Sequence, residues 1–182
     1  MTLKLLDNPS PCFPEDLFLK SYSFPSWLVV RTKPRHEKVL ALELNRHRIG
    51  YYLPLTLQPQ KSRNRLRFSM MPLFAGYLFL MGTPLDRQTA LQTGHILQTI
   101  QVIDQKSLQT QLCSIFRAIC VQSVKLCDFA VIGKRARVIA GPLTGVEGIV
   151  LRTKHQSRLI IQVQIIQQAI QVEIAWNQIQ LL

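Results

Sequence analysis

The sequence has few acidic residues, few cysteines and histidines, and no long apolar run. The chain contains 22 Lys and Arg but only 10 Asp and Glu, which gives a formal net charge of +12 at pH 7. No apolar run approaches the roughly 18 residues that a membrane-spanning helix needs, and residues 1–24 lack the apolar core of a signal peptide. We therefore expect a cytoplasmic protein without membrane contact. The charge predicts a polyanionic partner, by default a nucleic acid.

Residues that catalyse reactions or bind metals are also scarce. The 4 histidines have no serine, cysteine or carboxylate partner at a useful spacing, and no glycine-rich phosphate loop occurs. The 4 cysteines include no C-x-x-C pair. Cys113, Cys120 and Cys127 are spaced by seven residues and are predicted to be reduced, small core residues. We therefore expect no catalytic activity, no cofactor and no metal site.

Proline content separates a leader from a patterned region. Residues 1–25 contain four prolines, which prevent a lasting helix or strand ladder, and are predicted to be flexible. Residues 26–124 then show strand and helix patterns in alternation. Strands are predicted at residues 27–30, 51–53, 55–57, 72–80 and 96–103. Helices are predicted at residues 35–49, 84–92 and 107–124.

Local signals refine this first region. Gly50 is predicted to end the first helix, in which Leu40 and Leu44 face a sheet. Thr83 is the predicted N-cap of the second helix, which has proline at its first position. Residues 72–80 lack polar alternation and predict a central strand with both faces covered, with a bulge where alanine and glycine precede Tyr77.

Four cations occur at every second position in the middle of this region. They are Lys61, Arg63, Arg65 and Arg67. In an extended chain they would share one face, which suits a nucleic-acid backbone. A solvated basic hairpin loop explains the same pattern, because basic loops often serve solubility alone.

The last third of the chain has the alternation of short β-strands. In residues 133–151 two period-2 runs flank a turn at Gly141, Pro142 and Gly145, and Gly148 suits a bulge or bend in the second strand. Further alternating runs follow at residues 159–166, 169–174 and 176–182. We therefore predict a linker at residues 125–132 and a small five-stranded barrel at residues 133–182.

These residues carry a family resemblance. The residues Val138, Gly141, Pro142, Gly145, Glu147 and Gly148 resemble a KOW motif. The preceding region resembles the N-terminal domain of the NusG family of transcription factors in four features: a Trp-led first strand, the basic helix, the Tyr-Leu-Pro segment at residues 52–54, and above all the run PLFAGYLFL at residues 72–80. The resemblance implies an α+β fold, with an NGN-like α/β sandwich at residues 26–124 followed by a KOW (SH3-like) barrel.

The same resemblance implies the partners of the first domain. Family members are monomers that dock on the clamp helices of bacterial RNA polymerase, and the matching positions here are Phe74, Tyr77 and Phe79, with Tyr51 and Tyr52 near the same face. The side that meets upstream and non-template DNA matches Lys33, Arg35, Arg46 and Thr93. Such contacts would be mostly to phosphates and therefore sensitive to salt.

Within the family, the short first domain resembles the specialised RfaH-like paralogues that relieve pausing and termination at selected operons. The polar tract by which those paralogues contact the polymerase gate loop is matched here only by Thr89.

The KOW domain of relatives recruits the termination factor Rho or a small ribosomal subunit protein through one loop, which corresponds to Ile166, Gln167 and Gln168. This loop lacks the aromatic and charged residues of NusG itself, which disfavours Rho. An alternative hypothesis is a ribosome-associated KOW protein that binds RNA through Lys134, Arg135, Arg137 and Arg152. The upstream α/β domain distinguishes the two hypotheses, since ribosomal KOW proteins lack it.

Overall fold

The computed structural model describes residues 8–18, 26–62, 65–152 and 157–182. The fold is α+β with antiparallel sheets, as predicted. The chain divides into two compact units, residues 1–105 and residues 106–182. The sequence analysis placed the boundary later, between residues 124 and 133.

The first unit contains two sheets and two helices. Its strands are β1 (Cys12–Phe13), β2 (Ser26–Thr32), β3 (Gly50–Tyr52), β4 (Leu55–Ser62), β5 (Arg65–Pro72), β6 (Tyr77–Gly82) and β7 (Ile96–Gln101). Its helices are α1 (Glu37–Arg46) and α2 (Pro84–Gln92). Five strands form one sheet in the order β1-β3-β6-β2-β7, and β4 pairs with β5 in a separate hairpin.

One face of the five-stranded sheet packs against the helices. Leu40 and Leu44 of α1 are fully buried, as predicted, in an apolar cluster with Val30 of β2, Leu80 of β6 and Ala90 of α2. Burial of such side chains is the main favourable contribution to folding, at roughly 2 kcal/mol for each large aliphatic group. This cluster is therefore the core that positions the sheet.

The predicted strand at residues 72–80 is two elements. β5 ends at Pro72 and β6 begins at Tyr77, with a turn between them in which Gly76 has a φ of +80° and the Tyr77 amide donates to the Phe74 carbonyl at 3.1 Å. The unbroken apolar run hid this turn, because periodicity cannot separate a buried strand from a buried turn of the same composition. β6 is central, between β3 and β2, as predicted.

Helix α1 ends differently from the prediction. It stops at Arg46, and the left-handed residue that reverses the chain is Arg48, with a φ of +56°. Gly50 is already the first residue of β3. A Cβ at Gly50 would lie 2.7 Å from the Met81 carbonyl oxygen, so glycine is needed there for close strand packing and not as a helix cap.

The leader is ordered over residues 8–18, which corrects the prediction of a flexible segment. β1 pairs with β3 at the sheet edge, and the Leu53 amide donates to the Pro11 carbonyl at 2.7 Å. Leu17 is fully buried and Cys12 nearly so. The prolines limit the strand to two residues, but tertiary burial orders the segment.

The second unit contains one helix and a six-stranded sheet. Helix α3 (Gln105–Val121) begins at the boundary between the units. The strands are β8 (Lys125–Cys127), β9 (Lys134–Val138), β10 (Glu147–Arg152), β11 (Ser157–Val163), β12 (Gln168–Ile174) and β13 (Ile179–Leu181). Their order is β13-β9-β10-β11-β12-β8. β8 pairs with β12, so the predicted linker supplies a sixth strand to the five expected.

The three spaced cysteines are not uniformly buried. Cys120 is exposed, and Cys113 and Cys127 are half-buried. The prediction of core residues is therefore wrong for Cys120. None of the four cysteines forms a disulfide in this structure.

Candidate polymerase and nucleic-acid interfaces

Five aromatic rings form a continuous row on the first unit. Phe74 and Phe79 meet edge to face at 6.2 Å, and Tyr52 stacks on Phe79 at 6.3 Å. Phe18 of the leader meets Tyr52 edge to face at 4.9 Å and stacks on Trp27 at 6.2 Å. Rings at these separations attract one another beyond the area that they bury. The row thus joins the leader to three strands and the turn before β6.

The sheet register sorts the predicted polymerase-binding rings onto two faces. Tyr52 pairs with Phe79, and Tyr51 pairs with Leu80. Successive residues of a strand point to opposite faces, so Tyr51 lies on the helix-covered face, where it belongs to the buried apolar cluster. The expectation that Tyr51 shares a face with Tyr52 is therefore wrong.

The five predicted polymerase-binding side chains also differ in how far they are buried. Tyr51, Tyr52, Phe74 and Phe79 are each at most 1% exposed. Tyr77 alone of the five is partly exposed. In this conformation the four buried rings support the surface, and Tyr77 is the predicted residue that a partner protein can touch.

A carboxylate that sequence reasoning missed holds the turn before Tyr77. Glu37 is 6% exposed, and its Oε1 accepts a hydrogen bond from the Gly76 amide at 2.7 Å. The Gly76 carbonyl accepts from the Thr32 amide at 2.9 Å. Hydrogen bonds to a charged acceptor are stronger than neutral ones. The acidic residue at the start of helix α1 was the available signal, but its partner lies 39 residues away.

Basic residues gather at the end of the sheet where α1 begins. The Lys33 amide donates to the His95 carbonyl at 2.9 Å, which ties the β2–α1 turn to the α2–β7 turn. Lys33 and Arg35 are exposed, and Arg35 holds a φ of +64°. Thr93 lies in the same turn as His95, whose amide contacts the Thr93 Oγ1 at 3.4 Å. We call Lys33, Arg35, Thr93 and His95 the basic corner.

His95 of the basic corner forms a pair with His36, which was not predicted from the sequence. The Nδ1 atoms of His36 and His95 are 2.8 Å apart, so one ring donates and the other accepts. No sequence signal could have found a pair that is separated by 59 residues.

Two other predicted nucleic-acid contacts lie elsewhere. Arg46 is at the opposite end of α1, about 15 Å from its start by helix geometry, and pairs with Glu43 at 2.7 Å. Lys61 lies on β4, whereas Arg65 and Arg67 lie on β5. Position 61 pairs with position 66, so it lies on the opposite face of the hairpin from positions 65 and 67, and the single shared face expected of an extended chain is not formed. Arg63 lies outside the described residues.

Thr89 was predicted to contact the polymerase gate loop. Its hydroxyl donates to the Leu85 carbonyl at 3.1 Å, within the helix α2. That bond uses the donor hydrogen of the hydroxyl within the helix, and the hydroxyl oxygen can still accept a hydrogen bond from a partner.

The predicted KOW residues lie in one hairpin, on the turn between β9 and β10 and on the strand residues beside it. Gly141 and Gly145 have φ values of +85° and +86°, and the Gly145 amide donates to the Val138 carbonyl at 2.8 Å. The β9–β10 pairing passes through Gly148 without a register shift, so no bulge occurs there. Glycine is required at 148 because a Cβ would lie 2.3 Å from the Ile160 carbonyl oxygen. Glu147 forms an exposed ion pair with Arg137.

The predicted KOW partner loop is a tight connection between β11 and β12. Ile166 ends a short 3-10 turn and is 7% exposed, while Gln167 is exposed with a φ of +50°. Gln168 begins β12. Gln167 is therefore the loop residue that is most open to a partner.

Residues 25–112 match the family model described as transcription termination factor NusG. This segment contains β2, β6, the turn before Tyr77, and the basic corner. The chain belongs to the NusG family. NusG-family proteins are transcription elongation and termination factors without known catalysis, and they bind RNA polymerase.

Two further comparisons accompany this match. A solved structure entitled "Domain interaction in Thermotoga maritima NusG" aligns over 86% of this chain and 97% of that chain, with 12% identity and a TM-score of 0.48. That likeness is too low to compare individual residues. No curated protein matches the sequence.

No helix among the described residues is long and apolar enough to cross a membrane. The same part of the chain contains no group of three or more His, Cys, Asp or Glu residues placed to hold a metal ion.

Proposed function

We propose that the protein is a specialised NusG paralogue, RfaH-like in action, which binds the clamp helices of RNA polymerase through its first unit. It modulates pausing and termination in the bacterial cytoplasm at selected operons, as a monomer and with no catalytic step of its own. The observation that carries the proposal is the setting of Tyr77, the partly exposed residue beside a row of buried rings, in the segment that matches the family.

The turn before Tyr77 supports this role. Glu37 and Thr32 hold both sides of the Gly76 peptide, so the backbone that presents Tyr77 is fixed before any partner arrives. A preorganised aromatic residue loses little conformational entropy on binding, and tyrosine is enriched at the centres of protein interfaces.

The basic corner supports contact with DNA. Lys33 and Arg35 are exposed beside a network that fixes two turns together, which favours contacts to phosphates at defined positions. Arg65 and Arg67 of the hairpin would add a second cationic contact, and Arg46 is too far from the corner to belong to it.

Gln167 supports a specialised role for the second unit. An exposed glutamine at the tip of the β11–β12 connection offers neither the aromatic nor the charged group by which NusG itself engages Rho, so we favour a small ribosomal subunit protein as its partner. The second candidate function, RNA binding on the ribosome, rests on the exposed Lys134 and Arg135 of β9. The family match over residues 25–112 argues against this second function.

The test of polymerase binding compares Tyr77→Ala with Phe79→Ala in the whole protein. Tyr77→Ala should lower polymerase affinity at least tenfold and leave thermal unfolding nearly unchanged, because that ring reaches the surface. Phe79→Ala should unfold the first unit at a lower temperature, at a cost of about 3–5 kcal/mol. Full polymerase affinity in folded Tyr77→Ala would contradict the proposed contact.

A reconstituted transcription assay tests the direction of the effect. The template carries a known pause and a Rho-dependent terminator. Increased readthrough supports the specialised paralogue, whereas increased termination indicates a NusG-like partner of Rho. No effect on either would favour the ribosomal alternative.

A further inference from the structure

The face of the five-stranded sheet opposite helices α1 and α2 carries aromatic rings from three neighbouring strands. Tyr52 of β3 pairs with Phe79 of β6, and Trp27 of β2 pairs with Met81 of β6. Paired residues lie on the same face of an antiparallel ladder, and residues two apart on one strand share a face, so Tyr77 lies on this face as well. We call the face formed by Trp27, Tyr52, Tyr77 and Phe79 the ring face.

The two ends of the ring face differ in exposure. Tyr77 is partly exposed, whereas Tyr52 and Trp27 are only 1% and 5% exposed. The residue proposed to touch the polymerase therefore lies at one end of a face whose other end is shielded from solvent.

Phe18 of the leader lies against the shielded end. Its ring meets Tyr52 edge to face at a centroid distance of 4.9 Å, and it stacks on Trp27 at 6.2 Å with 14° between the ring planes. Because β6 lies between β3 and β2, a ring that contacts both of these residues lies over β6 on the ring face. Phe18 is itself half-buried, so it forms the outer layer over the two strand rings.

The rest of the leader is attached by contacts that do not involve Phe18. β1 pairs with β3, and the Leu53 amide donates to the Pro11 carbonyl at 2.7 Å. The Leu17 amide donates to the Pro14 carbonyl at 3.0 Å, and the Leu17 side chain is fully buried. These contacts hold the leader on the sheet whether or not the Phe18 ring is in place, so the ring can leave and return without detachment of the leader.

This attachment gives Phe18 an advantage over a side chain from another protein. A group on the same chain acts at a high effective concentration, because its binding is intramolecular. Two aromatic contacts of ordinary strength favour the seated ring over the released ring about 5- to 100-fold. A partner that needs the shielded end binds only the molecules in which the ring is released, and its apparent affinity falls in proportion.

We propose that Phe18 is a built-in cover of the polymerase-binding face, and that an apolar side chain of the clamp helices takes the place of its ring between Tyr52 and Trp27. The inference rests on the proposed function, which supplies the partner. A buried position between aromatic rings is typical of the centre of a protein interface. With the ring released, the contact extends from Tyr77 across the ring face to Trp27.

Polymerase affinity of Phe18 variants tests the cover in the full chain, by biolayer interferometry with immobilised core RNA polymerase. Phe18→Ala should strengthen the affinity at least about fivefold, even though it destabilises the first unit. The gain should appear in the association rate constant and leave the dissociation rate constant within about twofold of the wild type, because the variant populates the open state before binding. Unchanged or weaker binding would overturn the cover.

Phe13→Ala is the matched control. Phe13 is another half-buried phenylalanine of the leader, but it pairs with Tyr51 and packs against the core cluster on the helix side. Its removal should lower stability without strengthening polymerase binding. Equal gains from Phe13→Ala and Phe18→Ala would mean that any loosening of the leader exposes the face, and would overturn the assignment to Phe18.

Phe18→Leu serves in case Phe18→Ala misfolds. Leucine keeps most of the apolar burial and loses both ring pairs, so this variant should fold and strengthen polymerase affinity by part of the alanine effect. An affinity of Phe18→Leu no higher than that of the wild type would overturn the cover.

The same measurements separate this inference from the proposed function. If the wild type binds polymerase and Tyr77→Ala weakens that binding, but the Phe18 variants bind no more tightly, the cover is wrong and the proposed function stands. If neither the wild type nor any Phe18 variant binds polymerase, the proposed function is wrong, and the cover with it. Binding that appears only in the Phe18 variants would support both.

Discussion

The phenolic hydroxyl of Tyr51 donates a hydrogen bond to the Ser10 carbonyl at 2.9 Å and so joins the core of the sheet to the leader. Burial raises the pKa of Tyr51 to about 12, with a smaller contribution from Cys12. The folded protein therefore keeps this phenol neutral at pH values where the unfolded chain ionises it. The stability that results is present below pH 10 and is lost as the pH rises toward 12.

Tyr51→Phe should have two effects. At pH 8 it should lower the free energy of unfolding by about 1 kcal/mol, because the Ser10 carbonyl loses its donor. Between pH 10 and 12 the variant should lose stability less steeply than the wild type. Urea unfolding at pH 8 and at pH 11 measures both, with Tyr77→Phe as the matched control, because that ring reaches the surface. Parallel alkaline losses in variant and wild type would contradict the assignment.

Phe18 should anchor the leader through the aromatic row. Because the ring lies between Trp27 and Tyr52, Phe18→Ala should destabilise the first unit by about 2 kcal/mol, less than the 3–5 kcal/mol of a fully buried phenylalanine. Trp27 should also become more exposed to water. Urea unfolding followed by tryptophan fluorescence measures this in a Trp176→Phe background, which removes the second indole. An unchanged midpoint and spectrum would mean that the leader is as loosely ordered as its prolines predict.

Local features of the fold were predictable from the sequence, whereas contacts between distant residues were not. Helix α2 has its predicted bounds and its Thr83 cap, because capping and proline preferences act within one turn. The face of Tyr51, the Glu37–Gly76 bond and the His36–His95 pair depend on strand register and on turns that meet in space. Periodicity carries no information about these.

The same distinction between local features and tertiary contacts applies to the candidate site. The turn between β9 and β10 was predicted correctly from Gly141 and Gly145, since positive φ values leave a signature in the sequence. Whether Phe74 and Phe79 belong to the core or to a binding surface could not be decided from the sequence, because an apolar run looks the same in both, and the structure buries them. The order in the leader escaped prediction because it comes from tertiary burial of Leu17 and not from local preference.

The capping box of α2 should be measurable on its own. The Thr83 hydroxyl accepts from the Asp86 amide at 3.3 Å, and the Asp86 carboxylate accepts from the Thr83 amide at 2.7 Å. Thr83→Ala removes the first bond and should cost about 1 kcal/mol. Thr83→Ser keeps the hydroxyl and should stay within a few tenths of a kcal/mol of the wild type. Equal destabilisation in urea unfolding would mean that the methyl group, and not the cap, matters.

Gly148 and Gly145 should respond differently to replacement by alanine, although both belong to the predicted KOW motif. At Gly148 the new Cβ would lie 2.3 Å from a backbone oxygen of β11, which cannot move without distorting the sheet. Gly148→Ala should therefore destabilise the second unit by about 3 kcal/mol or more. At Gly145 no atom lies within 4 Å of the new Cβ, so only the strain of a φ of +86° remains, at about 1–2 kcal/mol.

Urea unfolding of the two glycine variants side by side measures this difference, and circular dichroism of each folded variant checks that the sheet is retained. Both substitutions add the same methyl group. The difference between their free energies of unfolding therefore distinguishes the effect of the close approach of β10 to β11 from that of the backbone strain of the turn. If Gly145→Ala proves the more damaging, turn conformation limits the stability of this unit, and the contact between Gly148 and the Ile160 carbonyl is looser than 2.3 Å implies.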